Sequence, residues 1–269
     1  MTSNTAAPIG VFDSGIGGLT VVRTLLQQLP HENIVYFGDT ARIPYGPKGP
    51  SVVTRYSREI TTFLVDQGVK AVVVACNTAT AHALEVLRAS YDIPIIGVID
   101  PGARAAARAT RSKRIGVIGT QGMVASRAYD RAIHATDPSI EVIATACPLF
   151  VPLVEEGWLD REATRLIAME YLTPLTQSGI DTLVLGCTHY PLIKAVISDI
   201  MGSSIQLIDS AEETAVETAA LLRQNHLTTG STAPAKIRFV ASDVPDQFMR
   251  IGQRFLGSAI DRVETVTLG

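Results

Sequence analysis

The chain has 269 residues, 46% of them hydrophobic and 18% charged, and a formal net charge of −3. This length fits one large or two small domains, and the charge gives no reason to expect a nucleic acid or an anionic membrane as partner. The apolar stretches are far shorter than the roughly 20 residues that span a bilayer. Three widely spaced cysteines argue against a disulfide framework, and residues 1–8 lack the pattern of a signal peptide. We therefore expect a cytoplasmic protein.

Apolar, β-branched runs alternate with segments of helical periodicity along the chain. The predicted strands are, in order, 9–12, 34–37, 71–75, 95–98, 114–118, 141–144, 182–185, 206–208 and 237–241. The clearest helical segments between them are 19–29, 51–67, 78–90 and 162–177. Such alternation predicts an α/β fold in which parallel sheets carry helices on both faces.

Two stretches of the first half match two stretches of the second. Residues 9–14 align with 115–120, and residues 70–78 align with 181–189, at nearly equal offsets. This weak repeat predicts two pseudo-symmetric, doubly wound domains; the alternative is chance recurrence of strand, turn and helix. Boundaries at 100–102 and 209–210 would give one domain of residues 1–100 plus 209–269 and a second of residues 101–208. The last segment is too short for a core of its own, so we expect it to return to the first domain.

Cys76 and Cys187 each follow an apolar run at equivalent places of the two halves. A doubly wound fold presents side chains to a ligand at such strand ends. A single buried cysteine is more often structural, but this pair favours two thiols that approach the two faces of one small substrate. A helix N-terminus after each would help to bring the thiol pKa to about 7. Neighbouring polar groups that could assist are Asn77, Thr78, Thr188 and His189.

Two turns in the first half carry further polar groups. The glycine-rich turn after the first strand lacks the third glycine of a dinucleotide fingerprint, and Asp13 at its start would repel a phosphate. Asp13 suits an ammonium group or a proton-transfer network, and a helix cap by Asp13 or Ser14 is the alternative. The loop 38–46 ends in a Pro-Tyr-Gly turn, whose backbone N–H groups are free to receive a carboxylate. In that loop Asp39 and Arg42 could simply pair, and an ordinary structured loop is the alternative.

Other uses of the cysteines fit less well. Structural zinc takes four ligands, usually in close pairs, and no two cysteines here are close in sequence. A Cys–His nucleophile for acyl transfer would leave the second cysteine unexplained. Cys147 lacks polar neighbours and is interpreted as structural. Arg104 and Arg108 lie four residues apart in an alanine-rich segment and are interpreted as solvated helix surface.

Five ordered segments resemble the bacterial glutamate racemase family, within the cofactor-independent aspartate/glutamate racemase superfamily. They are FDSGIGGLTV, YFGDTARIPYG, VVACNTATA, GVIDPG and LGCTHYPL. The resemblance covers residues 9–210, and 239–243 is similar to the family's C-terminal strand. It implies two α/β domains with the active site in the cleft between them. It also implies interconversion of L- and D-glutamate without pyridoxal phosphate or metal, to supply D-glutamate for peptidoglycan.

The resemblance also assigns residue roles. Cys76 is expected to act on D-glutamate and Cys187 on L-glutamate, each as thiolate base or thiol acid, with Asp13 and His189 assisting their respective thiols. The implied substrate contacts are Asp13, Ser14, Tyr45, Gly46, Asn77, Thr78, Thr188 and His189, with Thr120 as the second-half counterpart of Ser14.

Alternatives remain within and beyond this family. Aspartate racemases of the superfamily typically carry Glu where this chain has His189, so glutamate is favoured and aspartate is the runner-up substrate. A binding protein on the same fold, for example one that restrains DNA gyrase, is the alternative from another class. A homodimer is expected. Because few residues precede Asp13, no activator is expected.

Overall fold

Parallel strands and helices make up most of the computed structural model, which describes residues 5–268. The strands are β1 (Ile9–Asp13), β2 (Ile34–Gly38), β3 (Ala71–Val74), β4 (Ile95–Gly97), β5 (Arg114–Gly119), β6 (Glu141–Ala146), β7 (Thr182–Gly186), β8 (Gln206–Asp209), β9 (Ile237–Ala241) and β10 (Glu264–Thr265). The α-helices are α1 (Leu19–Gln28), α2 (Pro50–Asp66), α3 (Asn77–Ser90), α4 (Ile99–Ala109), α5 (Gln121–Ser126), α6 (Ala128–Thr136), α7 (Phe150–Glu155), α8 (Glu162–Thr176), α9 (Lys194–Met201), α10 (Ser210–Gln224) and α11 (Pro245–Leu256).

The strands form two separate sheets. The larger has the order β10-β9-β2-β1-β3-β4 and the smaller the order β6-β5-β7-β8, and every pairing is parallel. The central strands β1, β3 and β7 are buried along their whole length, as the near-continuous apolar runs require when helices cover both faces. The predicted α/β fold with two parallel-sheet domains is confirmed. In the described part of the chain, no helix has the length and apolar character needed to cross a membrane.

The two sheets repeat the same central pairing. Ile9 lies opposite Ala71 in the first sheet, and Ile115 lies opposite Thr182 in the second, as the alignment of the two halves predicts. The register is the same in both sheets. Cys76 therefore lies two residues after the last residue of β3 that pairs with β1, and Cys187 lies two residues after the equivalent residue of β7. The repeat therefore places both thiols at the carboxyl edge of a central strand.

The C-terminal segment joins the first sheet, because β9 pairs with β2 and β10 with β9. Residues 100–102, proposed as a boundary, lie inside α4, so a continuous helix carries the chain across that point. The division into residues 1–100 plus 209–269 and residues 101–208 stays a prediction. Arg104 and Arg108 lie at the partly exposed surface of α4, in agreement with the interpretation as solvated helix surface, and there they form ion pairs with Glu217 and Glu213 of α10.

Candidate active site

The first thiol, Cys76, stands between β3 and α3. Its Sγ caps the helix by accepting the backbone N–H of Ala79 at 3.4 Å, and it donates to Oγ of Ser14 at 3.6 Å. Burial, reinforced by the charge of Asp13, raises the pKa of the Cys76 thiol to about 12. The expectation of a lowered pKa is therefore wrong for this residue: one N–H at the start of α3 does not offset desolvation and a neighbouring carboxylate.

Asp13 is the last residue of β1 and is almost fully buried. Its Oδ2 accepts the N–H of Gly15 at 3.1 Å, while Oδ1 has no hydrogen-bond partner within residues 5–268. Burial raises the pKa of Asp13, against the opposing effect of the positive charge on His189. Gly18 is required beside it, since a Cβ there would lie 2.6 Å from the Cβ of Asp13. The turn after β1 thus holds the carboxyl group of Asp13 close to the thiol of Cys76, and Oδ1 of that carboxyl group has no hydrogen-bond partner within residues 5–268.

The second thiol, Cys187, follows β7 but does not precede an α-helix. A short 3₁₀ helix, Tyr190–Ile193, comes next, and α9 begins only at Lys194. The backbone N–H of Tyr190 donates to the carbonyl of Cys187 at 3.1 Å and keeps this turn tight, and Pro191 has no N–H to contribute. The expected α-helix N-terminus after Cys187 is therefore wrong.

The side chain closest in function to a charged partner of the second thiol, Cys187, is His189. Its Nδ1 lies 3.9 Å from Sγ of Cys187, and its Nε2 lies 2.9 Å from Oε1 of Glu155. Burial alone would lower the pKa of His189, but the contacts with Cys187 and Glu155 outweigh it and raise the pKa to about 10. The side chain is therefore an imidazolium at neutral pH, held between a sulfur and a carboxylate.

Sequence reasoning missed Glu155. It lies at the end of α7, 34 residues before its partner His189. No local motif marks this position, because the pairing depends on how α7 packs beside the end of β7.

One small cavity brings the predicted residues together. It has a volume of about 40 Å³ and is lined by Ser14, Gly15, Ile43, Pro44, Tyr45, Gly46, Cys76, Asn77, Thr78, Thr120, Val151, Glu155, Cys187, Thr188 and His189. Asp13 is not among the lining residues and lies buried directly before Ser14. A single water needs about 10–15 Å³. The two thiols, one from each sheet, thus face a space with room for only a few water molecules.

Several contacts cross this cleft and hold it closed. The hydroxyls of Thr78 and Thr120 lie 2.9 Å apart, and the carbonyl of Gly46 accepts the N–H of Gly122 at 2.9 Å. Further cross-cleft hydrogen bonds join Tyr129 to Asn77 and Thr20 to Thr188. Predicted site residues of both halves are therefore in direct contact.

The loop 38–46 is held by a buried network. Arg42 Nε donates to both oxygens of Asp39 at 3.0 and 2.8 Å, so the suggested pairing of these residues is confirmed. The hydroxyl of Tyr45 also donates to Asp39, as does Ser242 Oγ at 2.9 Å. Burial and the charge of Asp39 raise the pKa of Tyr45. Through this hydroxyl contact Tyr45 holds the loop, and it is also one of the residues that line the cavity.

Two further features concern the remaining cysteine and metals. Cys147 is fully buried, its Sγ lies 3.8 Å from the carbonyl of Thr145, and it is not among the residues that line the cavity. Within residues 5–268, no group of three or more His, Cys, Asp or Glu side chains is arranged to hold a metal ion.

Comparisons with known proteins agree with this architecture. The sequence model of a family described as Asp/Glu/Hydantoin racemase matches residues 9–218. Glutamate racemase of Geobacter metallireducens is 54% identical over 260 residues, 97% of this chain and 96% of that protein.

Two solved structures share the complete fold. Glutamate racemase isoform RacE1 from Bacillus anthracis superposes with a TM-score of 0.95 at 42% identity, covering 98% of this chain and 99% of that one. Glutamate racemase from Francisella tularensis subsp. tularensis, in complex with D-glutamate, gives a TM-score of 0.92 at 40% identity, covering 98% of each chain.

Two parallel-sheet α/β domains and the family match together define an amino-acid racemase, and the chain belongs to the Asp/Glu/Hydantoin racemase family. Within that family, the extent and identity of the matches place it among the glutamate racemases, which are isomerases.

Proposed function

We propose that this protein interconverts L- and D-glutamate by moving the α-proton between Cys76 and Cys187. The observation that carries the proposal is the meeting of two thiols, one from each sheet, at a single small cavity. A planar carbanion can be reprotonated on either face only if each face has its own acid. Two thiols at equivalent strand ends meet that need.

The proposed step starts from L-glutamate with Cys187 as thiolate. The Cα–H bond breaks, an S–H bond forms on Cys187, and the Cys76 thiol gives its proton to the opposite face of Cα. A Cys76 pKa of about 12 keeps that residue protonated at neutral pH, as an acid must be. The His189 imidazolium, 3.9 Å from Sγ of Cys187, stabilises negative charge on that sulfur. After turnover the roles are reversed, and the enzyme is prepared for D-glutamate.

Two buried polar atoms without partners support binding of an amino-acid zwitterion. Within the described part of the chain, Nδ2 of Asn77 lacks an acceptor and Oδ1 of Asp13 lacks a donor. Buried polar atoms are rarely left unpaired in native proteins. We propose that Asn77 donates to a substrate carboxylate and that Asp13 faces the ammonium group. The hydroxyls of Thr78, Thr120 and Thr188 supply further donors.

Substrate entry requires the cleft to open, because the cavity of about 40 Å³ is too small for an amino acid. An apolar pocket of about 390 Å³ adjoins it, lined by Ile43, Pro44, Gly46, Pro47, Thr120, Gln121, Pro148, Val151, Pro152 and Glu155. We propose this pocket as the entrance. Closure would exclude water and strengthen the electrostatic stabilisation of the carbanion.

Glutamate is the proposed substrate because the extensively matching curated relatives are named glutamate racemase. We further propose that the product D-glutamate supplies peptidoglycan synthesis and that no cofactor takes part in the proton transfer. A homodimer stays a prediction. Neither the structure nor the comparisons support the gyrase-binding alternative, and we do not propose it.

Circular dichroism tests the proposal directly. Purified protein is incubated with L-glutamate or L-aspartate in buffer without pyridoxal phosphate and with a metal chelator. We expect the glutamate signal to decay to zero and the aspartate signal to persist. Decay with aspartate alone would move the assignment to the runner-up, and no decay with either substrate from folded, reduced protein would reject the racemase function.

A further inference from the structure

The C-terminal helix α11 contacts the partner of the second thiol. The ring of Phe255, which is fully buried, meets the imidazole of His189 edge to face, with centroids 5.2 Å apart and an interplanar angle of 80°. His189 follows β7 of the smaller sheet, whereas α11 follows β9 of the larger sheet. The contact therefore joins α11, which follows a strand of the larger sheet, to His189, which follows a strand of the smaller sheet.

The neighbouring residue of α11 contacts the carboxylate partner of His189. Arg254 Nη1 lies 3.4 Å from the backbone carbonyl of Glu155, at the end of α7. In the turn that follows, Gly157 has a φ of +75°, and a Cβ there would lie 2.5 Å from Arg254 Nη1, the end of an exposed and flexible side chain. The positive φ is what favours glycine at this position.

The other end of α11 lies near the turn that follows β1. Phe248 packs on Tyr36 at 5.8 Å, and the Tyr36 hydroxyl donates to the carbonyl of Gly15 at 2.9 Å. Phe248 and Phe255 are seven residues apart, which is about two helical turns, so both rings lie on one face of α11. One helix thus packs near the turn after β1 at one end and against the His189 ring at the other.

We propose that Phe255 and Arg254 are positioning residues for the Glu155–His189 pair. This inference rests on the proposed function, because it assigns a purpose to the pair in proton transfer. The imidazole must direct Nδ1 to Cys187 and Nε2 to Glu155 at the same time. Phe255 restricts rotation of the ring, and Arg254 fixes the end of the helix that carries Glu155.

Because charged groups surround His189, the pKa of its imidazole depends on how the ring is oriented toward them. The groups that face it are Cys187 after β7, Glu155 on α7 and Asp13 at the end of β1, while Arg254 on α11 lies behind Glu155. Burial lowers the pKa of His189, and only well-aligned contacts with Cys187 and Glu155 raise it to about 10. A looser ring would keep the burial and lose part of the contacts, so its pKa would fall toward the ordinary value.

NMR titration of histidine labelled with ¹³C and ¹⁵N tests the proposal. The His189 signals are assigned by their loss in His189→Gln and followed in Phe255→Leu and Arg254→Gln. We expect the midpoint to fall by about one pH unit or more in Phe255→Leu, because a hydrogen bond to a charged group is partly lost. Arg254 is exposed, so Arg254→Gln provides a second variant that keeps the core intact, and we expect a smaller fall in the same direction.

Phe63→Leu is the matched control, since it shortens a ring that packs on Phe37 of β2, in a different hydrophobic cluster from Phe255. Its His189 midpoint should stay at the wild-type value. Unchanged midpoints in both Phe255→Leu and Arg254→Gln, or an equal fall in Phe63→Leu, would overturn the proposal. We also expect kcat in Phe255→Leu to fall on the order of tenfold from misplacement of the imidazole. The NMR result does not depend on turnover, so a wild-type protein that fails to racemise glutamate would reject the proposed function separately.

Discussion

The two thiols occupy equivalent positions of a repeated backbone, yet their surroundings differ. Cys76 caps an α-helix beside a buried carboxyl group, and burial with Asp13 raises its pKa to about 12. Cys187 precedes a 3₁₀ turn and faces the His189 imidazolium, which Glu155 holds from the other side. The repeat therefore fixes where the two sulfurs stand, whereas the side chains around them give the two sulfurs different electrostatic surroundings.

The two thiols are therefore equivalent in their position in the fold but not in the charges around them. One sulfur is kept as a neutral thiol next to negative charge, and the other is placed next to positive charge. In the proposed two-thiol mechanism, this arrangement favours the state in which Cys76 carries its proton. Experiments that disturb one side at a time can separate these roles.

Removal of either sulfur should have the largest effect. Cys76→Ala and Cys187→Ala are each expected to lower racemisation by at least about 10³-fold, since one face of Cα loses its acid or base. In D₂O, Cys76→Ala should still exchange the α-proton of L-glutamate but not that of D-glutamate, and Cys187→Ala should do the reverse. ¹H NMR of the α-proton measures both exchanges. Exchange of both enantiomers by both variants would contradict the assignment of one thiol to each face.

His189→Gln should have the next largest effect, because it removes the positive charge beside Cys187. We expect kcat to fall about 100-fold, within the usual range for an acid–base group. The pKa of His189 is raised to about 10, so the wild-type protein keeps this charge below that pH and loses it above. The alkaline decline of kcat near pH 10 should therefore be weaker in His189→Gln. A pH–rate profile of the same shape in both proteins would show that the imidazolium does not govern it.

Gly17 offers a way to disturb the second thiol from the opposite half. A Cβ at this position would lie 2.3 Å from Oγ1 of Thr188 and 2.6 Å from the His189 ring. Gly17→Ala should therefore displace the segment after Cys187, and we expect kcat/KM to fall about tenfold. Gly230→Ala is the control, since nothing lies within 4 Å of its added Cβ. Steady-state kinetics that are equal in both variants would show that the close approach at Gly17 has no functional weight.

The sequence predicts most of what is local in this molecule. Apolar runs locate β1 through β9 to within a residue or two, because buried parallel strands tolerate few polar residues. Those strand ends in turn place Cys76 and Cys187. The strand β10 is only two residues long, too short for any periodicity. The helix α11 was not predicted, although Phe248, Ile251 and Phe255 follow helical spacing and could have indicated it.

What the sequence does not predict are contacts between distant segments and their energies. The pairing of Glu155 with His189 depends on the packing of α7 against the turn after β7. Desolvation raises the pKa of Cys76 and one backbone N–H group lowers it. The relative size of these two effects cannot be predicted from the amino-acid sequence. The same limit applies to Phe255, which reaches His189 from another sheet's layer. These non-local contacts are the ones that distinguish the two thiols.

Substitution of the third cysteine, Cys147, should have the smallest effect on catalysis. It extends the comparison to a thiol that has no charged side chain such as Asp13 or His189 assigned to it. Cys147 is fully buried, and burial, with a lesser effect of Cys187, raises its pKa to about 12, so it stays a neutral thiol at neutral pH. Its carbonyl accepts the Tyr190 hydroxyl at 3.0 Å through the backbone, a contact that alanine preserves. Cys147→Ala should therefore leave kcat and KM unchanged and lower the free energy of unfolding by about 1 kcal/mol, as urea denaturation would measure. A large loss of kcat in a folded Cys147→Ala protein would instead mean that proton transfer passes through a third sulfur, and that the cavity shared by Cys76 and Cys187 is not the whole pathway.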